Sequence, residues 1–329
     1  MNILITGASG FLGTLLTREI LKRGQLRGEA VTRLILTDLV APSHPEVKDH
    51  PLVSTCIGDL VERMDEVLGM AKFDAVFHLA SAVSGECEAN FGLGLRSNLD
   101  ATRSLLDGLR MQQEQTGQPP LFFFSSSVAV FGSDPALPMD SVIKDKTLPT
   151  PQSSYGIHKF VCEQLVADYT RKGYIDGRAA RLMTVSVRPG RPNGAASSFL
   201  SGIIREPING QPSVCPVSLE TQVALASPQT TISGILTVVE CSREAFGGRT
   251  PINLPALTVS VGQMIEALRE VAGEEVVARI RHEPDANIAR IVGGWPARFE
   301  CARTKALGLK PDASYQDIIR QFVEMNRSA

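Results

Sequence analysis

The stretch NILITGASGFLG, residues 2–13, decides how the chain folds. Four apolar or β-favouring residues run into a turn that carries Gly7, Gly10 and Gly13, and a leucine-rich segment follows. Leu12, Leu15, Leu16 and Ile20 then share one helical face. This is a strand, a glycine turn and a helix in succession. In isolation the glycine spacing fits any tight strand-to-helix turn. In this setting one glycine makes the turn, one lets backbone approach a pyrophosphate, and one lets helix pack on strand. The first N–H groups of the helix point at the phosphates. A dinucleotide is therefore expected along Gly7, Ser9, Gly10, Phe11, Leu12 and Gly13.

Similar apolar runs recur at Arg33–Asp38, Val53–Gly58, Ala75–Leu79 and Leu121–Ser125, with helical spacing between them, as at Leu99, Leu105, Leu106 and Leu109. Strand alternating with helix predicts an α/β fold, a Rossmann doubly wound parallel sheet. A sixth strand is expected at Leu182–Val187. After Arg188, Gly and Pro cluster at Gly190, Pro192, Gly194, Pro207, Gly210, Pro212 and Pro216. The expected division is a NAD-binding Rossmann domain over 1–188 and a smaller C-terminal substrate lobe over 189–329, with about 228–254 returning to the sheet. Helices are expected at Val261–Ala272 and Tyr315–Met325, with Gly273 and Gly308 as stops.

Composition narrows the function. The chain has 329 residues, 43% hydrophobic, so a large core can be buried. Its formal charge is -2, from 33 basic and 35 acidic residues, which favours neither nucleic acid nor an anionic membrane as partner. No run of apolar residues reaches membrane-spanning length. The six cysteines are scattered and the five histidines lack ligand spacing, so no metal is expected. The expected setting is cytoplasmic and reducing.

Asp38 ends the second apolar run, 25 residues after Gly13. A carboxylate there accepts the hydroxyls of the adenine ribose and repels a 2′-phosphate, so NAD is favoured over NADP. Asp59 and Leu60, after the third run, can reach the adenine. The pentapeptide YGIHK places Tyr155 and Lys159 one helical turn apart on a shared face. A phenol titrates near ~10, and lowering it by about three units takes about 4 kcal/mol. A cation ~4 Å away at an effective dielectric of ~20 supplies roughly that. Ser127 closes the run FFFSSS (122–127) and can hold a substrate oxygen for proton transfer. The helix of Tyr155 can be capped by Ser153 or Ser154.

The segments TGASGFLG (6–13), HLAS (78–81), Asn98, SSSVAVFG (125–132), PQSSYGIHK (151–159) and ARTKALG (302–308) together resemble the extended short-chain dehydrogenases/reductases, the nucleotide-sugar epimerase group. The resemblance implies an NAD-dependent enzyme with Tyr155 as acid/base, Lys159 on the nicotinamide ribose and Ser127 on the substrate. It also implies that Leu79, Ala80, Ser81 and Asn98 run along the cofactor. Two departures speak against a nucleotide sugar. Val128 and Ala129 stand where sugar dehydratases carry an acidic pair, and ETQVALASP (220–228) replaces a stretch whose Arg would meet a diphosphate.

SGE (84–86), VRPGRPN (187–193), SSFLSGIIREP (197–207) and IVGGWPARF (291–299) are similar to a narrower group. Its members oxidise the C2 hydroxyl of a four-carbon sugar acid such as D-erythronate with NAD to the 2-keto acid. Arg188 is the expected carboxylate partner, with Arg191 and Arg298 as competitors. Ser84, Glu86, Asn193 and Ser198 are candidates for the hydroxyls, and Trp295 can wall the pocket or sit in a core. The alternatives are a nucleotide-sugar 4-epimerase or reductase and, more remotely, a non-catalytic NAD(P)-sensing module. The family habit of pairing through two helices, here Leu95–Leu109 and Ser154–Tyr169, implies a homodimer.

Overall fold

The computed structural model describes residues 1–190 and 195–327. Strands β1 (Asn2–Thr6), β2 (Arg33–Asp38), β3 (Val53–Ile57), β4 (Ala75–His78) and β5 (Leu121–Ser127) arise from the apolar runs, and their pairings are parallel. With β6 (Asp176–Leu182) and the short β9 (Ile252–Asn253) they form one seven-stranded sheet in the order β9-β6-β5-β4-β1-β2-β3. Ile3, Leu4, Ile5, Leu34, Ile35, Leu36, Val76, Phe77 and Phe122–Phe124 are fully buried, as expected of strands covered on both faces. The chain reverses direction across the sheet between β1 and β4. In sheets of this kind that switch point is where ligands bind, outside the carboxyl ends of the strands.

Helix α1 (Phe11–Arg23) follows β1 and ends at Gly24, whose φ of 63° lets its N–H reach the Ile20 carbonyl. Helix α2 (Ala101–Thr116) is preceded by a wide π turn over Leu95–Asp100. Helix α3 (Ser154–Arg171) starts at Ser153, whose side chain accepts from the Gly156 N–H.

The sixth strand differs from expectation. It lies at Asp176–Leu182, earlier than the apolar run Leu182–Val187. Leu182 closes β6, and within the rest of that run Thr184–Val185 forms β7, which joins β8 (Gln222–Ala226) and β10 (Leu257–Ser260) in a separate three-stranded sheet. The sequence DGRAARL looks too charged for an interior strand, but its charges are matched. Arg178 is fully buried and donates to the carbonyls of Val238 and Val239 at 2.8 and 3.1 Å and to Asp176 at 2.9 Å. Arg181 is paired with Glu163. Buried charge is tolerated when it is paired and hydrogen-bonded in this way.

Two compact units emerge. The first comprises Met1–Ser127, Ser153–Arg181 and Ile232–Ile252; the second comprises Val128–Gln152, Leu182–Thr231 and Asn253–Ala329. The second unit has its own core, with Leu200, Ile203, Leu225, Met264, Leu268, Ile318 and Phe322 buried together. Its helices Val261–Ala272 and Tyr315–Arg327 supply several of these residues, and Gly273 ends the former at a φ of 91°.

Candidate functional site

The glycine turn has the form a phosphate loop requires. Gly7 sits at φ 68°, and a Cβ there would meet the Ala80 nitrogen at 2.7 Å. A Cβ on Gly13 would collide with the Gly7 carbonyl oxygen and come within 2.7 Å of the Ala8 Cα. Gly10 is exposed and caps α1 in an extended conformation. The first turn of α1 carries no acidic residue, so the positive end of its dipole is not neutralised locally. First-turn N–H groups have no intrahelical acceptor and are available to an anion. Bare backbone with no side chain in the way fits a pyrophosphate.

The Asp38 carboxylate is at the end of β2, beside this turn. It accepts the Ser9 N–H at 2.9 Å and the Leu39 N–H at 2.7 Å, while Ser9 Oγ donates to the Val40 carbonyl. Leu39 and Val40 are exposed. Asp59 is more heavily committed. It accepts the N–H groups of Val61 and Glu62 and the Arg96 guanidinium at 3.1 Å. Partial burial works against the charged form, but these bonds outweigh it and hold the Asp59 carboxyl below the usual range. Leu60 is half-buried beside it.

The segment Leu79–Ala82 is held against Gly7 by a buried relay. Thr6 Oγ1 accepts the Ala80 N–H and lies 2.7 Å from His78 Nδ1, and Thr102 Oγ1 lies 2.9 Å from His78 Nε2. Thr102 already donates to the Asn98 carbonyl, so His78 donates from Nε2 and accepts at Nδ1. Burial, helped by the nearby Lys159 charge, pushes His78 down to about 3, so it stays neutral. The Asn98 carboxamide accepts the Ala82 N–H at 2.7 Å, donates to the Ala82 carbonyl at 3.2 Å and meets Ser81 Oγ at 3.1 Å. Asn98 thus latches the loop that carries Leu79, Ala80 and Ser81. The π turn at Leu95–Asp100 aims it there.

Tyr155 and Lys159 stand one turn apart near the start of α3, and Ser127 ends β5. Lys159 is buried. Its ammonium donates to the Ser125 carbonyl at 2.8 Å and lies 5.6 Å from the centre of the Tyr155 ring and 5.0 Å from that of Phe124. Burial, offset in part by Cys162, Cys87 and Glu163, lowers Lys159 to about 8. Near neutral pH it is still about nine-tenths protonated. The arrangement brings a half-buried phenol, a fixed cation and a strand-end hydroxyl to one end of the sheet, the set a proton transfer needs.

The remaining candidates are placed more variously. Ser84 is half-buried at the first position of a short helix, Ser84–Ala89. Glu86 is exposed, and its carboxylate accepts the Val83 N–H of that helix. In the second unit, the Arg188 guanidinium donates to Ser197 Oγ at 2.9 Å, and its backbone N–H donates to Ser201 Oγ. The buried Arg205 donates to the Arg188 carbonyl at 2.7 Å. Ser198 is half-buried at the start of the helix Ser198–Ile208. Arg191 and Asn193 lie outside the described residues. Arg298 is exposed, and Trp295 packs half-buried against the core of the second unit. Among the described residues no group of His, Cys, Asp or Glu is arranged to hold a metal ion.

Sequence reasoning missed Ser126, Glu163, Arg181 and the His78–Thr102 relay. One signal was available. Glu163 follows Lys159 at i+4 and so shares its helix face.

The NAD dependent epimerase/dehydratase family matches residues 3–225. Curated D-erythronate dehydrogenases from Cupriavidus necator and Haemophilus influenzae are 46% and 39% identical to the chain, each over 98% of it and over 98% and 99% of their own lengths. A solved structure from Agrobacterium tumefaciens, described as a nucleoside-diphosphate-sugar epimerase, is 41% identical. It superposes with a TM-score of 0.92 over 98% of this chain and 94% of its own. An L-threonine dehydrogenase from Cupriavidus necator shares the fold, with a TM-score of 0.82 at 22% identity over 98% of this chain and 99% of its own. With a family match over most of its length and two curated relatives similar over nearly all of it, this chain belongs to the NAD dependent epimerase/dehydratase family.

Proposed function

We propose that this enzyme oxidises the C2 hydroxyl of D-erythronate, or a closely related four-carbon sugar acid, to the 2-keto acid with NAD. Two relatives with that activity in their names, each similar over nearly the full chain, support the substrate class. The observation that carries the chemistry is Lys159, buried between the Ser125 carbonyl and the Tyr155 ring. Tyr155 accepts the C2 hydroxyl proton. Ser127 orients that oxygen. Lys159 favours the phenolate electrostatically and holds the nicotinamide ribose. Gly7, Ser9, Gly10, Phe11, Leu12 and Gly13 hold the pyrophosphate, and Asp38 holds the adenine ribose, with Asp59 and Leu60 nearer the adenine. Leu79–Ser81 and Asn98 line the cofactor, the last through its latch on the loop. NAD, when bound, supplies the hydride acceptor. Arg188 is the proposed carboxylate partner, because a guanidinium can grip it with two parallel bonds. Ser84, Glu86, Asn193 and Ser198 are proposed for the hydroxyls.

The Agrobacterium structure favours a second reading, a nucleotide-sugar epimerase. Against it stand Val128 and Ala129 after the catalytic Ser, and the absence of Arg from residues 220–228. A screen of sugar acids and nucleotide sugars with NAD and NADP, read by nicotinamide reduction, separates the two. Net NAD reduction with D-erythronate supports oxidation; UDP-sugar interconversion without net reduction supports the second reading. Tyr155→Phe is expected to abolish turnover while NAD still binds, and full turnover in that variant would remove Tyr155 from the mechanism.

We also propose a homodimer formed through Leu95–Leu109 and Ser154–Tyr169. The exposed Ile157 and Val161 on α3 support it, and sedimentation of the purified chain tests it. A cytoplasmic, reducing location is proposed from the six free thiols. No described helix is long and apolar enough to cross a membrane.

A further inference from the structure

The end of β5 is fastened to α3 at two successive residues. The Ser125 carbonyl accepts from Lys159. The next residue, Ser126, donates its hydroxyl to Glu163 Oε1 at 2.5 Å. Ser126 and Glu163 are 2% and 0% exposed, so water does not compete for this bond. Glu163 lies one helical turn beyond Lys159 and two beyond Tyr155. Its carboxylate is itself fixed. Arg181 on β6 donates Nε to Oε1 and its terminal nitrogen to Oε2, both at 2.8 Å. This two-bond fork leaves the carboxylate little freedom to rotate. Three elements therefore converge on one carboxylate, directly behind the strand end that carries Ser127. A buried ion pair is not needed for stability, since apolar residues of similar volume commonly serve as well. Its position calls for another explanation.

We infer that Ser126 and Glu163, backed by Arg181, are positioning residues: they lock β5 to α3 so that the Ser127 hydroxyl and the Tyr155 phenol keep one fixed spacing. This rests on the proposed roles of Ser127 and Tyr155. Neither Ser126 nor Glu163 touches substrate. Their effect comes from the precision of the groups they hold, and a displacement of ~1 Å at reacting atoms can lower a rate about 100-fold.

Ser126→Ala isolates the clamp, because it removes one hydroxyl and leaves the Glu163–Arg181 pair intact. With the full-length enzyme, D-erythronate and NAD, kcat is expected to fall about ten-fold or more at every pH. The shape of the pH profile, KM and NAD affinity should stay near those of the parent. The primary isotope effect with C2-deuterated substrate should rise as the chemical step becomes limiting. Replacing the pair together, Glu163→Leu with Arg181→Met, should give a similar kcat loss, and adding Ser126→Ala to it should cost little more. Parental kcat in Ser126→Ala overturns the inference, as does a kcat loss matched by falling NAD affinity. Tyr155→Phe runs alongside. An inactive Tyr155→Phe with a fully active Ser126→Ala removes the clamp alone, whereas an active Tyr155→Phe overturns the catalytic reading and the inference with it.

Discussion

Replacing Lys159 by Met should abolish turnover and also relieve a pH-dependent strain on folding. The ammonium is buried, and its pKa is lowered from 10.5 to about 8. A base whose folded pKa is lowered binds protons more tightly when unfolded. Its charge therefore destabilises the fold in full below pH ~8, and the penalty fades as pH rises toward ~10.5. From those two values the penalty is about 3 kcal/mol near pH 7 and about 1 kcal/mol near pH 9.5. Met keeps most of the side-chain volume and carries no charge. It also leaves the Ser125 carbonyl without its donor, which costs about 1–3 kcal/mol at either pH. The two contributions separate by their pH dependence. The stability of Lys159→Met minus that of the parent should fall by about 2 kcal/mol between pH ~7 and ~9.5. Thermal unfolding of the cofactor-free protein at both pH values reads this as a relative Tm change of roughly 3 °C. A difference that does not vary with pH would refute the buried, charged lysine on which the Tyr155 argument depends.

Two further outcomes follow from the cofactor loop. Gly7→Ala places a Cβ at φ 68° against the Ala80 backbone, so NAD affinity should fall at least about ten-fold, measured by calorimetric titration. Asp38→Ala removes the carboxylate proposed to hold the adenine ribose, so the preference for NAD over NADP should narrow by about ten-fold or more in kcat/KM with the two cofactors.

The sheet was legible wherever a strand is buried on both faces and therefore reads as an unbroken apolar run, as Ile3–Ile5 and Phe122–Phe124 do. The glycine turn and the Tyr155–Lys159 pair were legible because their spacing along the chain is itself the geometric requirement. Strand β6 was not. Its Arg178 and Arg181 are accommodated in large part through Val238, Val239 and Glu163, partners distant in sequence. Asn98 illustrates the same limit. The family resemblance placed it along the cofactor, and only the fold shows that its carboxamide is engaged by Ala82 and Ser81. Glu86 caps its own helix, which its sequence neighbours alone did not distinguish from a ligand role.

The most direct test of the account follows the hydrogen on C2. D-erythronate deuterated at that carbon, incubated with the enzyme and NAD, should yield the 2-keto acid and reduced cofactor carrying one deuterium per turnover, with Tyr155→Phe giving neither. Deuterium released to solvent would contradict hydride transfer from C2, and deuterium retained in a sugar acid of inverted C2 configuration, with no net reduced cofactor, would contradict net oxidation.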